Sequence, residues 1–180
     1  MKKLLTSIAI TCLLLTSCNS DDPYKVTPTS VGHITQDTKV SELDALFEND
    51  DVIDPTDNNS LSGTGAIEIY EKDGKQLLSL SPATAADSSK IKTVQIFDDR
   101  YETPEGISLK STFGDIRKAY KISKIQTLLS SVVVFTDDIN AYFTIDKKEL
   151  AGELQFNREI KVSESQIPDK AKVKYFMVGW

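Results

Sequence analysis

Two stretches of this chain match each other at a fixed distance, and that match limits the folds open to it. Residues 33–47 read HITQDTKVSELDALF and residues 106–120 read GISLKSTFGDIRKAY, offset by 73 positions without a gap. Ile34 matches Ile107, and Thr38 matches Ser111. Val40, Leu43, Leu46 and Phe47 match Phe113, Ile116, Ala119 and Tyr120. Those positions fall at i, i+3, i+6 and i+7, one face of a short helix. Thr38 and Ser111 sit where N-caps are expected, and Glu42 and Asp115 follow in the first turn, where the helix dipole favours acids. The second stretch is preceded by Thr103-Pro104-Glu105-Gly106, a turn with proline second and glycine fourth.

The residues after each helix also correspond. IEIYEKDGKQLLSLS (67–81) has an alternating arm, a Lys-Asp-Gly turn and a second arm. VVVFTDDINAYFTID (132–146) has an arm, Asp137-Asp138 as turn, and a return strand from Ala141 to Ile145. Both read as β-hairpins. A lone strand follows each: KIKTVQIF (90–97) and KVKYFMV (172–178). The expected fold is α+β. Two tandem helix–hairpin–strand units, 33–98 and 106–180, form one antiparallel sheet with short helices packed on one face.

The N-terminus reads as a targeting segment. Lys2 and Lys3 precede an apolar run from Leu4 to Leu15, too short to span a bilayer and laid out as a secretory signal. Leu15-Thr16-Ser17-Cys18 resembles the lipobox of bacterial lipoproteins. The resemblance implies cleavage before Cys18, with lipid on its sulfur and its new amino group. The expected organisation is a signal peptide over 1–17, a lipidated flexible tether over 18–32 (with Pro23, Pro28 and several Ser and Thr) and one α+β domain over 33–180. Asn19-Ser20-Asp21-Asp22 resembles the signal that sends some Gram-negative lipoproteins to the outer face of the outer membrane. That leans the location toward the cell surface.

Loss of the leader takes Cys12 with it and acylates Cys18, so disulfide, cysteine-nucleophile and thiolate-metal chemistry are excluded. It also removes Lys2 and Lys3. The basic count falls from 21 to 19 against 27 acids, and the formal charge from −6 to −8. An acidic surface argues against nucleic acid as a partner.

The layout resembles the tandem helix-plus-sheet architecture of the β-lactamase inhibitor proteins and the smaller lipoproteins of outer-membrane assembly. RYETPEGISLKSTFGDIRKAY (100–120) also looks like a pattern in secreted bacterial proteins and lipoproteins of unknown function. The resemblance implies architecture and carries no activity.

Candidate chemistry is sparse. His33 is the sole histidine and lacks a G-x-S-x-G serine to work with, and no second histidine offers a zinc pair. Asp51, Asp54 and Asp57 lie in an oxygen-rich loop from Asp50 to Ser60, which is the chain's weak calcium candidate, without EF-hand spacing. Asp98 and Asp99 are adjacent carboxylates whose side chains diverge on an extended chain, so they make a poor acid–base pair, with Arg100 beside them to neutralise charge. Tyr142, Tyr175 and Trp180 mark a possible contact face, since alternation separates Tyr142 from Phe143 and Tyr175 from Phe176. No cofactor is expected. These features lead to a non-catalytic, lipid-anchored envelope module that engages a protein partner. A glycan- or ligand-binding lipoprotein of an uptake system is the alternative, and a carboxylate-dependent hydrolase the third reading.

Overall fold

The computed structural model describes residues 22–55, 65–82, 90–157 and 160–180. Its sheet strands are β3 (Asp50–Ile53), β4 (Ile67–Glu71), β5 (Gln76–Pro82), β6 (Ile91–Ile96), β7 (Ile122–Thr127), β8 (Ser131–Thr136), β9 (Ala141–Asp146) and β10 (Val173–Gly179). They pair antiparallel in the order β3-β4-β5-β6-β10-β9-β8-β7. A short ribbon of β1 (Ser30–Val31) and β2 (Ile34–Thr35) lies apart. Helix α1 (Leu43–Leu46) precedes β3 to β6, and α2 (Phe113–Ala119) precedes β7 to β10. Each helix therefore leads into a four-strand meander, and the meanders join where β6 pairs with β10.

Period-two alternation sorts the residues into two faces. One row crosses all eight strands on the core side: Val52, Ile69, Leu78, Ile96, Phe176, Phe143, Val134 and Ile125. Six of these eight are almost wholly buried, the edge residues Val52 and Ile125 only partly. Phe143 and Phe176 stack at a centroid distance of 4.8 Å at the centre. Burying such a ring contributes about 1.5–3 kcal/mol. Leu43 and Phe47 from the first helical turn, and Phe113, Ile116 and Tyr120 from the second, pack on this side, as the helical periodicity requires.

The local bonding around the helices recurs 73 positions apart. Thr35 N–H donates to Thr38 Oγ1 at 2.9 Å, and Ser108 N–H donates to Ser111 Oγ at 3.0 Å. Lys39 N–H donates to Glu42 Oε2 at 3.0 Å, and Thr112 N–H donates to Asp115 Oδ2 at 2.9 Å. Lys39 bridges to Lys90, and Thr112 bridges to Lys172. The N-caps are thus Lys39, at the start of the 3-10 turn Val40–Glu42 that leads into α1, and Thr112 on α2, each one residue later than Thr38 and Ser111. The hydroxyls of Thr38 and Ser111 are occupied with the preceding turn, so they do not reach the helical N–H groups.

Two further expectations are corrected. Each helix is followed by four strands, because β3 and β7 flank the expected hairpins. The flexible tether does not extend over 22–32: Val26 and Val31 are fully buried in the core. That segment is tied down by backbone bonds, Val26 N–H to Glu102 O at 2.9 Å and Glu102 N–H to Tyr24 O at 3.0 Å. Residues 18–21 lie outside the described residues.

Candidate functional site

Among the described residues the helices α1 and α2 pack on the core side, and neither lies on the second sheet face. One row across it reads Ile53, Glu68, Ser79, Gln95, Met177, Tyr142, Phe135 and Lys124. Apart from Ile53 at the edge, the first meander contributes polar groups to this row, while β10, β9 and β8 of the second contribute Met177, Tyr142 and Phe135, with Lys124 of β7 at the far edge. Val133 pairs with Thr144, and Thr144 with Tyr175, so a parallel row reinforces the apolar strip. Tyr175 is 40% exposed, while Val133, Phe135, Tyr142 and Met177 are half-buried by one another.

The strip is built by cross-strand contact. Phe135 and Tyr142 stack at 5.4 Å with an interplanar angle of 24°. Lys124 Nζ lies 5.5 Å from the Phe135 centroid. Tyr142 leans across β10, where its ring approaches Gly179 and its hydroxyl bonds to Thr93. Burial pushes the Tyr142 hydroxyl pKa up, with the Thr93 bond working against it. A bulge between Val173 and Tyr175 frees Lys174, whose ammonium bonds to Asp146 Oδ2 at 3.2 Å and lies 5.3 Å from the Tyr175 ring. The strip is therefore packed in itself and bordered by lysines.

Of the three residues expected on a contact face, the structure brings Tyr142 and Tyr175 together. It sends Trp180 elsewhere. Val178 and Phe176 face the core, and Trp180 shares their parity and packs against that core, half-buried. Its Nε1–H is buried without a hydrogen-bond acceptor among the described residues. Val133, Phe135 and Met177 join the face, although their aromatic or apolar character alone did not distinguish them from core residues.

A second constellation lies at the other side, where the N-terminal segment crosses the chain after β6. Asp98 is fully buried. Its carboxylate accepts from Arg100 N–H at 2.9 Å and Arg100 Nε at 3.0 Å, and pairs with Lys75 Nζ at 2.8 Å. Burial alone would raise its pKa, but the bonds from Arg100 and Lys75 outweigh that and hold it well below the usual carboxylate range. Arg100 also reaches Glu71 Oε1 at 2.6 Å and stacks over Tyr24 at 4.3 Å, while Tyr24 meets Tyr101 edge-on at 5.1 Å. Asp99 points away to Lys110. The two adjacent carboxylates share no cleft, and Asp98 is a charged lock between sheet, linker and N-terminal segment.

The remaining expected sites fall as follows. Asp51 is on β3, not in a loop, and pairs with Lys72. Asp54 follows that strand, and Asp57 lies outside the described residues. Among the described residues no group of three or more His, Cys, Asp or Glu side chains is placed to hold a metal ion. His33 meets Phe47 edge-on at 6.4 Å and borders a small cleft of about 100 Å³ with Tyr24, Asp50 and Tyr101. Desolvation, with Glu71 adding to it, raises the Asp50 carboxyl pKa. Cys18 lies outside the described residues, among which no helix is long and apolar enough to cross a membrane.

No known family's sequence model matches the chain, and no curated protein matches it. Among solved structures, it is similar to the uncharacterized protein yfeY from Escherichia coli. The TM-score is 0.54 at 13% identity, over 87% of this chain and 99% of that one. The likeness is one of fold.

Proposed function

We propose that this chain is a lipid-anchored protein of the bacterial cell envelope that engages a protein partner through the β8–β9–β10 part of its uncovered sheet face. The observation that carries this reading is the contiguous strip of Val133, Phe135, Tyr142, Tyr175 and Met177, in register with Glu68, Ser79 and Gln95 on β4, β5 and β6. Aromatic and Met side chains are enriched at interface centres, with polar groups at the rim. The carboxylates offer little to catalysis, since Asp98 is neutralised on several sides. Glycan stacking is disfavoured because Phe135 has Tyr142 against one side and Lys124 near its face. The LTSC sequence ending at Cys18 supports the anchor.

The same reading takes the domain as two copies of one unit, each a helix and a four-strand meander. The recurring bonds at Thr38 and Ser111, at Glu42 and Asp115, and at Lys90 and Lys172 support it. On this view the first copy keeps a solvated outer face and the second has acquired a contact surface.

The test is site-specific photo-crosslinking in cells. A benzophenone side chain in place of Tyr175 should yield one discrete crosslinked protein, and Tyr142→Ser should weaken that product. The same probe at Ser79, on the polar half of the face, should give none. Equal crosslinking from both positions, or none from Tyr175 in a membrane-retained protein, would overturn the reading.

A further inference from the structure

We propose that the corner of the domain formed by Asp22–Lys25 and Arg100–Pro104 is held against the lipid headgroups of the membrane that carries the anchor. The inference rests on the reading that Cys18 is lipidated, and it comes from where the chain first becomes fixed. Asn19, Ser20 and Asp21 alone separate Cys18 from Asp22. Four extended steps reach about 14 Å at most. A flexible tether from 18 to 32 would instead have a contour length of about 50 Å and a typical span of about 20 Å.

Asp22 belongs to fixed structure. Its carbonyl accepts from Lys25 N–H at 3.2 Å, and its Oδ1 accepts from Tyr24 N–H at 3.0 Å. Lys25 bridges in parallel to Glu102, and its carbonyl accepts from Gly32 N–H at 2.8 Å. The Tyr24 ring is gripped between Arg100 and Tyr101. Gly32, at φ 54°, passes so close to Pro23 that a Cβ would lie 2.3 Å from its carbonyl oxygen. Releasing this strap would expose Val26 and Val31 and strip Arg100 of its stacking partner, so the domain cannot gain length by peeling it off at low cost.

The same corner has an open cleft of about 450 Å³ between Asp22, Lys25, Arg100, Glu102 and Pro104. Its charges are mixed, and Arg100 is already paired with Asp98 and Glu71. Proximity to lipid there follows from the short spacer and needs no electrostatic attraction. The β7–β8 turn at exposed Leu129 lies four strand spacings from β5, next to which Lys75 pairs with Asp98, and so roughly 20 Å from this corner for strands about 4.8 Å apart.

The experiment uses the mature lipidated protein in phosphatidylcholine vesicles that contain a headgroup nitroxide quencher. Its one cysteine is acylated, so a thiol introduced at Lys25→Cys, Glu102→Cys or Leu129→Cys takes a fluorophore alone. Labels at 25 and 102 should be quenched several-fold more than the label at 129, and addition of phosphatidylglycerol should not change the order. A Gly-Ser spacer of about 12 residues between Ser20 and Asp21 should level the three positions. Equal quenching without the spacer, in protein that still floats with the vesicles, overturns the apposition. So does a contrast that survives the spacer, because the corner would then hold lipid by itself. Failure to float with Cys18 intact overturns the anchor instead.

Discussion

Gly114 sets two well-measured effects against each other. It lies in α2, where alanine is intrinsically better than glycine by up to about 1 kcal/mol. On that ground Gly114→Ala should stabilise the protein. The structure predicts the reverse. A Cβ at 114 would lie 2.9 Å from Asp169 Cβ, 3.0 Å from Asp169 O and 3.3 Å from Asp169 Cα, against ordinary contacts of 3.4 Å and beyond. Two of those atoms are backbone and cannot swing aside. The Asp169 segment is also bonded to the start of α2, through Gly114 N–H to Asp169 O and Phe113 N–H to Ala171 O, both at 2.8 Å. A retreat of roughly half an ångström stretches both bonds, each worth about 0.5–1.5 kcal/mol, and overpacking of this kind typically costs about 1–3 kcal/mol. With the helix gain subtracted, a net loss of about 1–2 kcal/mol remains. In a chain of this size that lowers Tm by roughly 2–8 °C. Thermal and urea melts followed by circular dichroism read the change. Ser41, the counterpart 73 positions earlier, is exposed, so Ser41→Ala should stay within about 0.5 kcal/mol. An equal or higher Tm for Gly114→Ala would show that the Asp169 segment yields freely and that the close-packing argument is wrong.

Three other perturbations are informative. Asp98→Asn should destabilise the fold by about 2–4 kcal/mol at pH 7, since it leaves Arg100 without its buried partner. Because the folded carboxyl titrates below its unfolded value near 3.9, its contribution is present above about pH 4 and fades as pH falls further; wild-type and mutant urea midpoints should converge there, and a gap constant with pH would contradict the lock. Leu43→Asp and Ile116→Asp each bury a charge at a position at most 1% exposed and should cost about 3 kcal/mol or more; normal melting of either mutant would count against the helix–sheet packing. Cys18→Ala should move the protein from the membrane to the soluble fraction on cell fractionation, and continued retention would remove the lipid anchor.

Six of the eight sheet strands were legible because they are apolar or alternate cleanly, as in IEIYE and AYFTID. The two edge strands were not. In β7 a bulge between Ile122 and Lys124 places Ile122 and Ile125 on one face despite their spacing of three, so the period of two is broken. β3 opens with two aspartates, which an edge tolerates because its outer flank and one face meet water. The N-terminal strap hid for a different reason. Val26 and Val31 are isolated among Thr, Ser and Pro; Val31 pairs locally with Val26 and Ile34, but Val26 bonds to Glu102 in the linker, some seventy residues on. Trp180 was readable: counting parity from Val178 puts it on the core side. The choice of contact strip over core strand needed the pairing register, which no single strand encodes.

The pairing of β6 with β10 also has a kinetic consequence. Ile96 and Phe176 are neighbours across the ladder yet eighty positions apart in the chain. Contacts of such separation form late, after loop-closure entropy has been met. Until then β6 is an open edge bearing Ile91, Val94 and Ile96, able to take a strand from another molecule. Substitutions that delay β10, such as a charge at Phe176, are therefore expected to raise aggregation during folding before they lower the melting point of whatever native protein forms.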